Sequence, residues 1–555
     1  MKRILFLLVA FFYSISLYSQ TRVVTGKVSD KNTKESLAGA SIVVMVQSNS
    51  TADSTKSSSF NYTTIGAFSD ADGTFSVDIY TDSICYIEVS YIGMETQKIK
   101  ITHSNFYPVL MSAGAIAIET VVVTVPYGKL KKETFTGSLT SVKSNVLSQS
   151  TESSFDKALQ GQVAGIVLTS SSGQPGAASQ IQMRGAGSIS ASSQPLVVID
   201  GVVMYGGETS QNSSGTSILA SINPNDIESV SVLKDASATS LYGSRASNGV
   251  IMITTKQGKQ GKTNYSFSST QGIGNIVLNN FDVLNASQYR TIKTEAMKNA
   301  GKTDEAILRE LLGDTAQVNW IQEVFKPAYY QTYDFVAQGG DAKTTFFISS
   351  QYKNEEGIVR GTNLERYSMR LNISNKASDK LSFGIKFNPS FSTQNITDEP
   401  GIVSSAITGA FTSLPTTQIK YANDYNFENS FYNPVGITAL NENRIATKRL
   451  LGSVFLNYKI YKDLEFNSIE NLDYIINKEL KFIHPKTPDG ISLHGVGEEY
   501  ITEISTLTSS NTVAWKKSFS NIHNISLLGG VEIESQVKNF SNMIASNFPF
   551  ENYIR

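Results

Sequence analysis

The sequence predicts a mainly β protein: a small N-terminal β-sandwich, an α/β domain, and a large antiparallel sheet with the alternation of a transmembrane β-barrel. Three observations lead there. Beyond Gly258, apolar residues recur at every second position through runs of about ten residues, the period of strands with two unlike faces. Tyr367, Met369, Leu371 and Ile373 form one such row, and Leu381, Phe383, Ile385 and Phe387 another. Val454, Leu456, Tyr458, Ile460 and Ile525, Leu527, Val531, Ile533 repeat it, and the polar residues between them would face a wet lumen. A soluble sandwich shares this period. Tyr and Phe number 25 and 28 against 10 Met and 2 Trp, with Ser, Thr, Asn and Gly between the apolar positions. Past the N-terminus, no run reaches the roughly 20 apolar residues that a membrane helix needs.

With 555 residues the chain exceeds one ordinary domain, so several units are expected. A net charge of -1 and a charged fraction of 17% provide no basic field, which argues against nucleic acid as a partner. Residues 1–19 read as a secretory signal peptide, with Lys2 and Arg3 ahead of the apolar run Ile4 to Tyr13 and a cut after Ser19. Cys85 is the only cysteine, which excludes an intrachain disulfide; its neighbours suggest a buried strand position.

Residues 20–112 read as short strands between turns, the pattern of a small sandwich. A Ser/Thr-rich insertion from Gln47 to Thr64 is expected to be an exposed loop. Asp70, Asp72 and Gly73 could open a calcium loop, but the later oxygen ligands are missing, and a tight Asp-Gly hairpin turn is favoured. Within residues 113–130 the β-branched run Glu119, Thr120, Val121, Val122, Val123, Thr124 stands isolated between flexible stretches. A strand without an intrachain partner invites another chain to pair with it, and Pro126 would end that pairing.

Residues 131–258 begin with a short helix at Phe155 to Leu159, followed by strands at Gly165 to Thr169 and Gln180 to Arg184. From Asn223 to Gly258 two apolar strand-like runs bracket a small-residue turn and a glycine restart. Residues 259–555 hold the alternating strands, and Asn285 to Leu312 reads as one surface helix.

These segments resemble the SusC/RagA-type TonB-linked outer-membrane proteins. The stretch NPNDIESVSVLKDASATSLYGSRASNGVIMITTKQG is similar almost letter for letter to that family's plug signature, and RGAGS and PLVVIDGV match its other plug strands. The matching positions are Arg184, Gly185, Asp200, Gly201, Asn223, Pro224, Asp226, Ile227, Glu228, Lys234, Asp235, Ala236, Tyr242, Gly243, Arg245, Asn248 and Gly249. Most are expected to keep the fold rather than to touch substrate: glycines for turns, Asp and Arg for holding loops. The resemblance continues through Trp320 to Asn372, the family's early barrel.

The resemblance implies a leading carboxypeptidase-regulatory-like domain, a TonB box at Glu119 to Thr124, a plug, and then the first part of an outer-membrane barrel. It also implies import of an oligosaccharide or peptide, with TonB and a SusD-like surface lipoprotein as partners. The barrel would lie in outer-membrane lipid, with the N-terminal domains periplasmic. The strands after Gly258 would supply only half of about 22 expected, and the FENYIR end lacks a closing strand, which suggests a truncated barrel.

No catalytic residue, cofactor or metal site is expected. Ahead of GKQGKT, Lys256 stands where a phosphate loop needs glycine, and RGAGSIS lacks the last glycine of a dinucleotide fingerprint. His103, His484, His494 and His523 lack zinc-ligand spacing. A siderophore or cobalamin receptor, a surface structural protein and a secreted carbohydrate enzyme are the alternatives.

Overall fold

The computed structural model describes residues 22–31, 33–47, 60–79, 85–91, 94–102, 104–112, 122–125, 128–131, 139–144, 155–170, 172–185, 193–206, 209–211, 218–235, 239–277, 282–312, 316–398, 402–519 and 523–549. The signal segment and residues Glu119, Thr120, Val121, Ala236 and His103 lie outside them. The chain divides into two compact units, Met1–Val122 and Val123–Arg555.

The first unit is a two-layer sandwich. One sheet has three strands in the order Thr74–Ile79, Arg22–Asp30, Phe106–Met111; the other has four, Phe60–Phe68, Ser41–Gln47, Cys85–Ser90, Gln97–Lys100. Alternate residues point inward, so Val24, Val28, Ile42, Val44, Ile87 and Val89 form the core. Cys85 is buried there, and burial pushes its thiol up.

Two expectations change in this unit. The Asp-Gly turn is not a hairpin: it carries the chain from Phe60–Phe68 in one sheet to Thr74–Ile79 in the other. Gly73 takes φ +75° and its carbonyl accepts from Val28 N–H at 2.7 Å, so the turn is pinned to a neighbouring strand. The end of the Ser/Thr-rich insertion is not loop either. Phe60, Asn61 and Tyr62 pair with Gln47, Val46 and Met45, because the alternating β-formers there extend the sheet; residues 48–59 lie outside the described residues.

The run expected to stand alone has an intrachain partner. Val122–Val125 pairs with Gly128–Lys131 in a separate two-stranded sheet, and it stops before Pro126.

The second unit contains a small sheet and a large one. The small sheet runs Leu139–Lys143, Ile227–Leu233, Val250–Thr255, Leu196–Ile199, Val202–Val203. Ile199, Ile227, Val230, Val232, Ile251 and Ile253 form its core with Phe155 and Leu159. Helical content is slight: the short helix spans Phe155–Ala158, and 3-10 turns occupy Ile218–Ser221, Pro224–Asp226 and Ser240–Ala246. The two-stranded ribbon Ile166–Ser170 with Ser179–Met183 starts and ends within a residue of expectation.

The large sheet has nine antiparallel strands, each paired with the next in sequence: Gly261–Gly274, Ala328–Gly340, Thr344–Glu356, Asn363–Lys376, Leu381–Asn395, Glu442–Tyr461, Leu464–Ile483, Val496–Phe519 and His523–Ser546. One end has short connections such as 341–343 and 462–463; the other carries longer ones, including 357–362 and 396–441. The alternation sorts its two faces. Tyr367, Phe383, Val454, Leu527 and Ile533 are exposed on the outside, whereas Arg366, Arg370, Asn372, Asn388, Arg449 and Asp473 are buried on the inside. Among the described residues no helix is long and apolar enough to cross a membrane. The segment Asn285 to Leu312 is two helices, Ala286–Asn299 and Asp304–Leu312, broken at Gly301, whose φ is +76°. Asn285 and Gln288 form a reciprocal capping box at the first.

Candidate functional site

The inner face of the large sheet was expected to be wet. Much of it is buried instead, because the small sheet packs against it through paired polar groups. The loop after Leu196–Ile199 places the first of them. Asp200 and Gly201 take φ +51° and +93°, and this left-handed pair turns the chain into Val202–Val203. The Asp200 carboxylate accepts from Thr255 N–H at 2.9 Å and from Thr255 Oγ1 at 2.6 Å, which fixes it to the end of the neighbouring strand. Its outer side meets the large sheet, with Lys386 Nζ at 3.3 Å and an Arg370 guanidinium nitrogen at 3.7 Å.

The turn before Ile227–Leu233 supplies the second contact. Asn223 caps it, accepting from Asn225 N–H at 2.9 Å, and donates to Asp334 at 3.1 Å. Gln351 Nε2 donates to both Asn223 at 2.8 Å and Asp334 at 2.7 Å. Asp226 accepts from Ser349 Oγ at 2.6 Å and lies 3.6 Å from Arg370 Nε. Arg366, only 1% exposed, donates to the Ala220 and Ile222 carbonyls and to Gln351 Oε1. Asn372 donates to the Lys256 carbonyl at 2.7 Å.

Further round the sheet, Arg449 and Asp473 form a two-point ion pair at 3.0 and 2.8 Å, both side chains 1% exposed. Arg449 also donates to Ser221 Oγ at 3.1 Å, joining the wall to the small domain. Glu479 accepts from Ser210 Oγ at 3.1 Å and from Gln211 N–H at 2.9 Å. Arg245 binds Glu534 at 2.7 and 2.9 Å. Near the long-loop end, the Gln174 amide bonds both the N–H and the carbonyl of Thr397, at 2.9 and 3.1 Å.

The two central acids differ electrically although both are buried. Burial alone would raise Asp200, but Lys386, Arg370 and the Thr255 hydrogen bonds outweigh it and hold its carboxyl below the usual range. Burial wins at Asp226, aided by the like charge of Asp334, and raises it despite Arg370 and Ser349. Arg370 is therefore shared between one firmly ionised carboxylate and one that resists ionisation. This arrangement joins the two sheets by charge; it does not position a nucleophile or an acid–base pair for chemistry. Among the described residues no group of three or more His, Cys, Asp or Glu side chains is gathered to hold a metal.

The other motif residues serve the small domain itself. Arg184 binds Asp235 at 2.5 Å, and Lys234 donates to the Ala164 carbonyl at 2.5 Å and to Thr140 Oγ1 at 3.0 Å, tying the edge strand to the ribbon. Asn248 donates to the Gln194 carbonyl at 3.4 Å. Pro224 begins its 3-10 turn, Ile227 is fully buried, and Glu228 is the extra exposed residue at a bulge opposite Thr254–Thr255. Tyr242 packs against the Leu196–Val250 cluster. Gly185 and Gly243 take φ +97° and +66°. At Gly249, φ is +94° and an added Cβ would strike Met183 and approach the Leu233 carbonyl at 3.1 Å. The wall residues Arg366, Arg370, Lys386, Gln351, Asp334, Arg449 and Asp473 were not singled out from sequence. Arg366 and Arg370 stand in the opposite phase to Tyr367 and Met369, and charged residues in that phase of an otherwise polar-neutral face were the available signal.

Comparison with known proteins bears on these two sheets. Residues 131–250 match the family model described as the TonB-dependent Receptor Plug Domain. The chain is 32% identical to the TonB-dependent receptor SusC of Bacteroides thetaiotaomicron over 446 residues, 79% of this chain and 40% of that protein. It is 29% identical to the TonB-dependent receptor P26 of Formosa agariphila over 541 residues, 94% of this chain and 50% of that protein. It thus spans about half or less of the length of these relatives. Among solved structures, the RagAB peptide importer in its "open-open" state is similar at a TM-score of 0.64 and 26% identity, over 78% of this chain and 51% of that one.

Proposed function

Because the chain belongs to the SusC/RagA-type TonB-dependent receptors, we propose that it takes part in TonB-driven import of a nutrient across the outer membrane. The small domain is then the plug and the nine-stranded sheet its barrel wall. Cargo, an oligosaccharide or a peptide, is captured at the long-loop end together with a SusD-like surface lipoprotein. TonB pairs with the strand Glu119 to Thr124 by β-augmentation and pulls. The plug shifts, the passage opens, and the cargo reaches the periplasm. Energy enters as mechanical work, so no nucleotide site is required on this chain.

The observation that carries this reading is the seat at Asp200, Asp226 and Arg370. The plug is held to the wall by ion pairs and hydrogen bonds that can be broken and re-formed, while each sheet keeps its own backbone ladder. Among the described residues Val122–Val125 pairs only with Gly128–Lys131, which leaves the other edge of the strand for a partner. The outward apolar rows suit outer-membrane lipid.

Deleting Glu119 to Thr124 in the full-length receptor tests the proposal. Uptake of cargo should be lost while binding at the cell surface persists. Loss of both, or of neither, would count against it. Co-purification of a lipoprotein from isolated outer membranes, identified by mass spectrometry, tests the partner.

A further inference from the structure

The charges that the wall turns toward the plug are neutralised in two different ways. Some are matched within the wall itself. Asp473 pairs with Arg449 at 2.8 Å and Glu355 lies 3.1 Å from Lys353, so these charges stay matched whatever the plug does. Arg366 and Asp334 are both bound to Gln351 and offset each other. Others are matched by the plug. Among the described residues every ion pair of Arg370 and Lys386 is to a plug acid, Asp200 or Asp226. Arg370 also meets the wall at Asn388 Oδ1, 3.4 Å away, a group that carries no charge.

These two cations are neighbours on the inner face, because Lys386 stands opposite Asn372 in the ladder and Arg370 lies two residues before Asn372. The opposite sign is found further round the sheet. Glu534, on His523–Ser546, pairs with Arg245 of the plug at 2.7 Å. Glu479, on Leu464–Ile483, accepts from Ser210 Oγ at 3.1 Å and Gln211 N–H at 2.9 Å, both plug groups. Glu532 and Lys538 flank Glu534 on the same face and offset each other. Four strand spacings of about 4.8 Å separate Leu381–Asn395 from His523–Ser546, so the two signs stand about 19 Å apart along the wall.

We propose that these four wall residues sort cargo by charge. When the plug leaves its seat, Arg370 and Lys386 become a cationic sector without its partners, and Glu479 and Glu534 an acidic one. The passage then favours a chain that bears both signs, a peptide with its terminal carboxylate and ammonium, over a neutral oligosaccharide. A charge that loses its partner inside a confined, poorly screened space attracts the opposite sign more strongly than it would on an open surface. At rest the plug stands in for the cargo: the Asp200 and Asp226 carboxylates hold the place of a cargo carboxylate, and the Arg245 guanidinium that of a cargo ammonium. The proposal rests on the import reading above and narrows its cargo.

Uptake by cells carrying the full-length receptor tests it. One short labelled peptide with uncharged side chains is supplied with both ends free, with its C-terminus amidated, or with its N-terminus acetylated, beside a neutral and a uronate-bearing oligosaccharide of similar mass. The free peptide should enter fastest, about tenfold ahead of the neutral oligosaccharide. Lys386→Gln should lower the ratio of free to amidated uptake by about threefold or more and leave the ratio of free to acetylated uptake unchanged; Glu534→Gln should do the reverse. A looser plug seat alters every cargo alike, so these ratios do not respond to it. Ratios that stay at the wild-type value in both variants would overturn the assignment of these residues. Faster entry of either oligosaccharide than of the free peptide would overturn the preference for both signs. The import reading fails separately, as uptake that persists when Glu119 to Thr124 is deleted.

Discussion

Replacing Asp200 by Asn should loosen the plug seat by about 3 kcal/mol, the low end of the ~3–5 kcal/mol found when one partner of a buried ion pair is removed. The structure sets that choice. Asp200 and Arg370 are 5% and 3% exposed, so their pairing is little screened, whereas Lys386 at 18% can recover some hydration. Asparagine retains an acceptor for Thr255, so the bonds at 2.9 and 2.6 Å are weakened rather than both lost. Arg370 is left with Asp226 at 3.6 Å, a carboxyl that burial already disfavours as an ion. Three kcal/mol corresponds to roughly a hundredfold more of the unseated state. Amide exchange of Gln211 in the full-length receptor reports that population, because its N–H is bonded across the seat to Glu479 of the large sheet. A hundredfold acceleration there, with the N-terminal sandwich unaffected, is the expected result. Acceleration of less than about threefold would refute the view that these charges hold the plug.

The pH dependence should separate the two acids. Asp200 is lowered in the folded state, so its contribution is complete above the ordinary carboxylate pKa and is lost as pH falls through its depressed value. Asp226 is raised, so the folded state binds its proton more tightly; stability is greatest below the ordinary value and declines as pH rises toward the raised one. Asp226→Asn should therefore flatten that second, opposite dependence in an exchange or urea series, and a seat much weaker than wild type at neutral pH would contradict it. Arg449→Met leaves Asp473 buried without its two-point partner and should cost about 3–5 kcal/mol, while the double change Arg449→Met with Asp473→Leu recovers most of it in a urea titration of the full-length receptor. Gly249→Ala should cost about 2 kcal/mol or more in the same titration, because the added Cβ meets Met183 at a backbone angle that L-residues avoid.

Much of this fold was legible because strands with unlike faces write a period of two into the chain. The rows through Tyr367, Phe383, Val454 and Ile533 do face outward, and the apolar runs on either side of Tyr242 do become neighbouring strands of one sheet. What the period could not convey was occupancy. Arg370 and Asn372 read equally well as lining for water or for another domain, and only the packing of Asp200, Asp226 and Lys256 against them decides. Sheet assignment was hidden for a similar reason: an Asp-Gly turn has the same local chemistry whether it closes a hairpin or crosses between layers, and the choice at Gly73 is made by Val28, some forty-five residues away. The strand Val122–Val125 has a partner six residues on in Gly128–Lys131, a segment whose own letters carry little strand propensity.

Arg366 gives its guanidinium to two main-chain carbonyls of the plug, and is itself 1% exposed. Backbone carbonyls cannot be mutated away. The wall and the plug therefore dry each other: neither surface can shed its water until the other arrives, and the cost of dehydration falls at a single moment of joining. A barrel wall with its plug withdrawn is then a hydrated surface, different in kind from the buried one that it presents at rest.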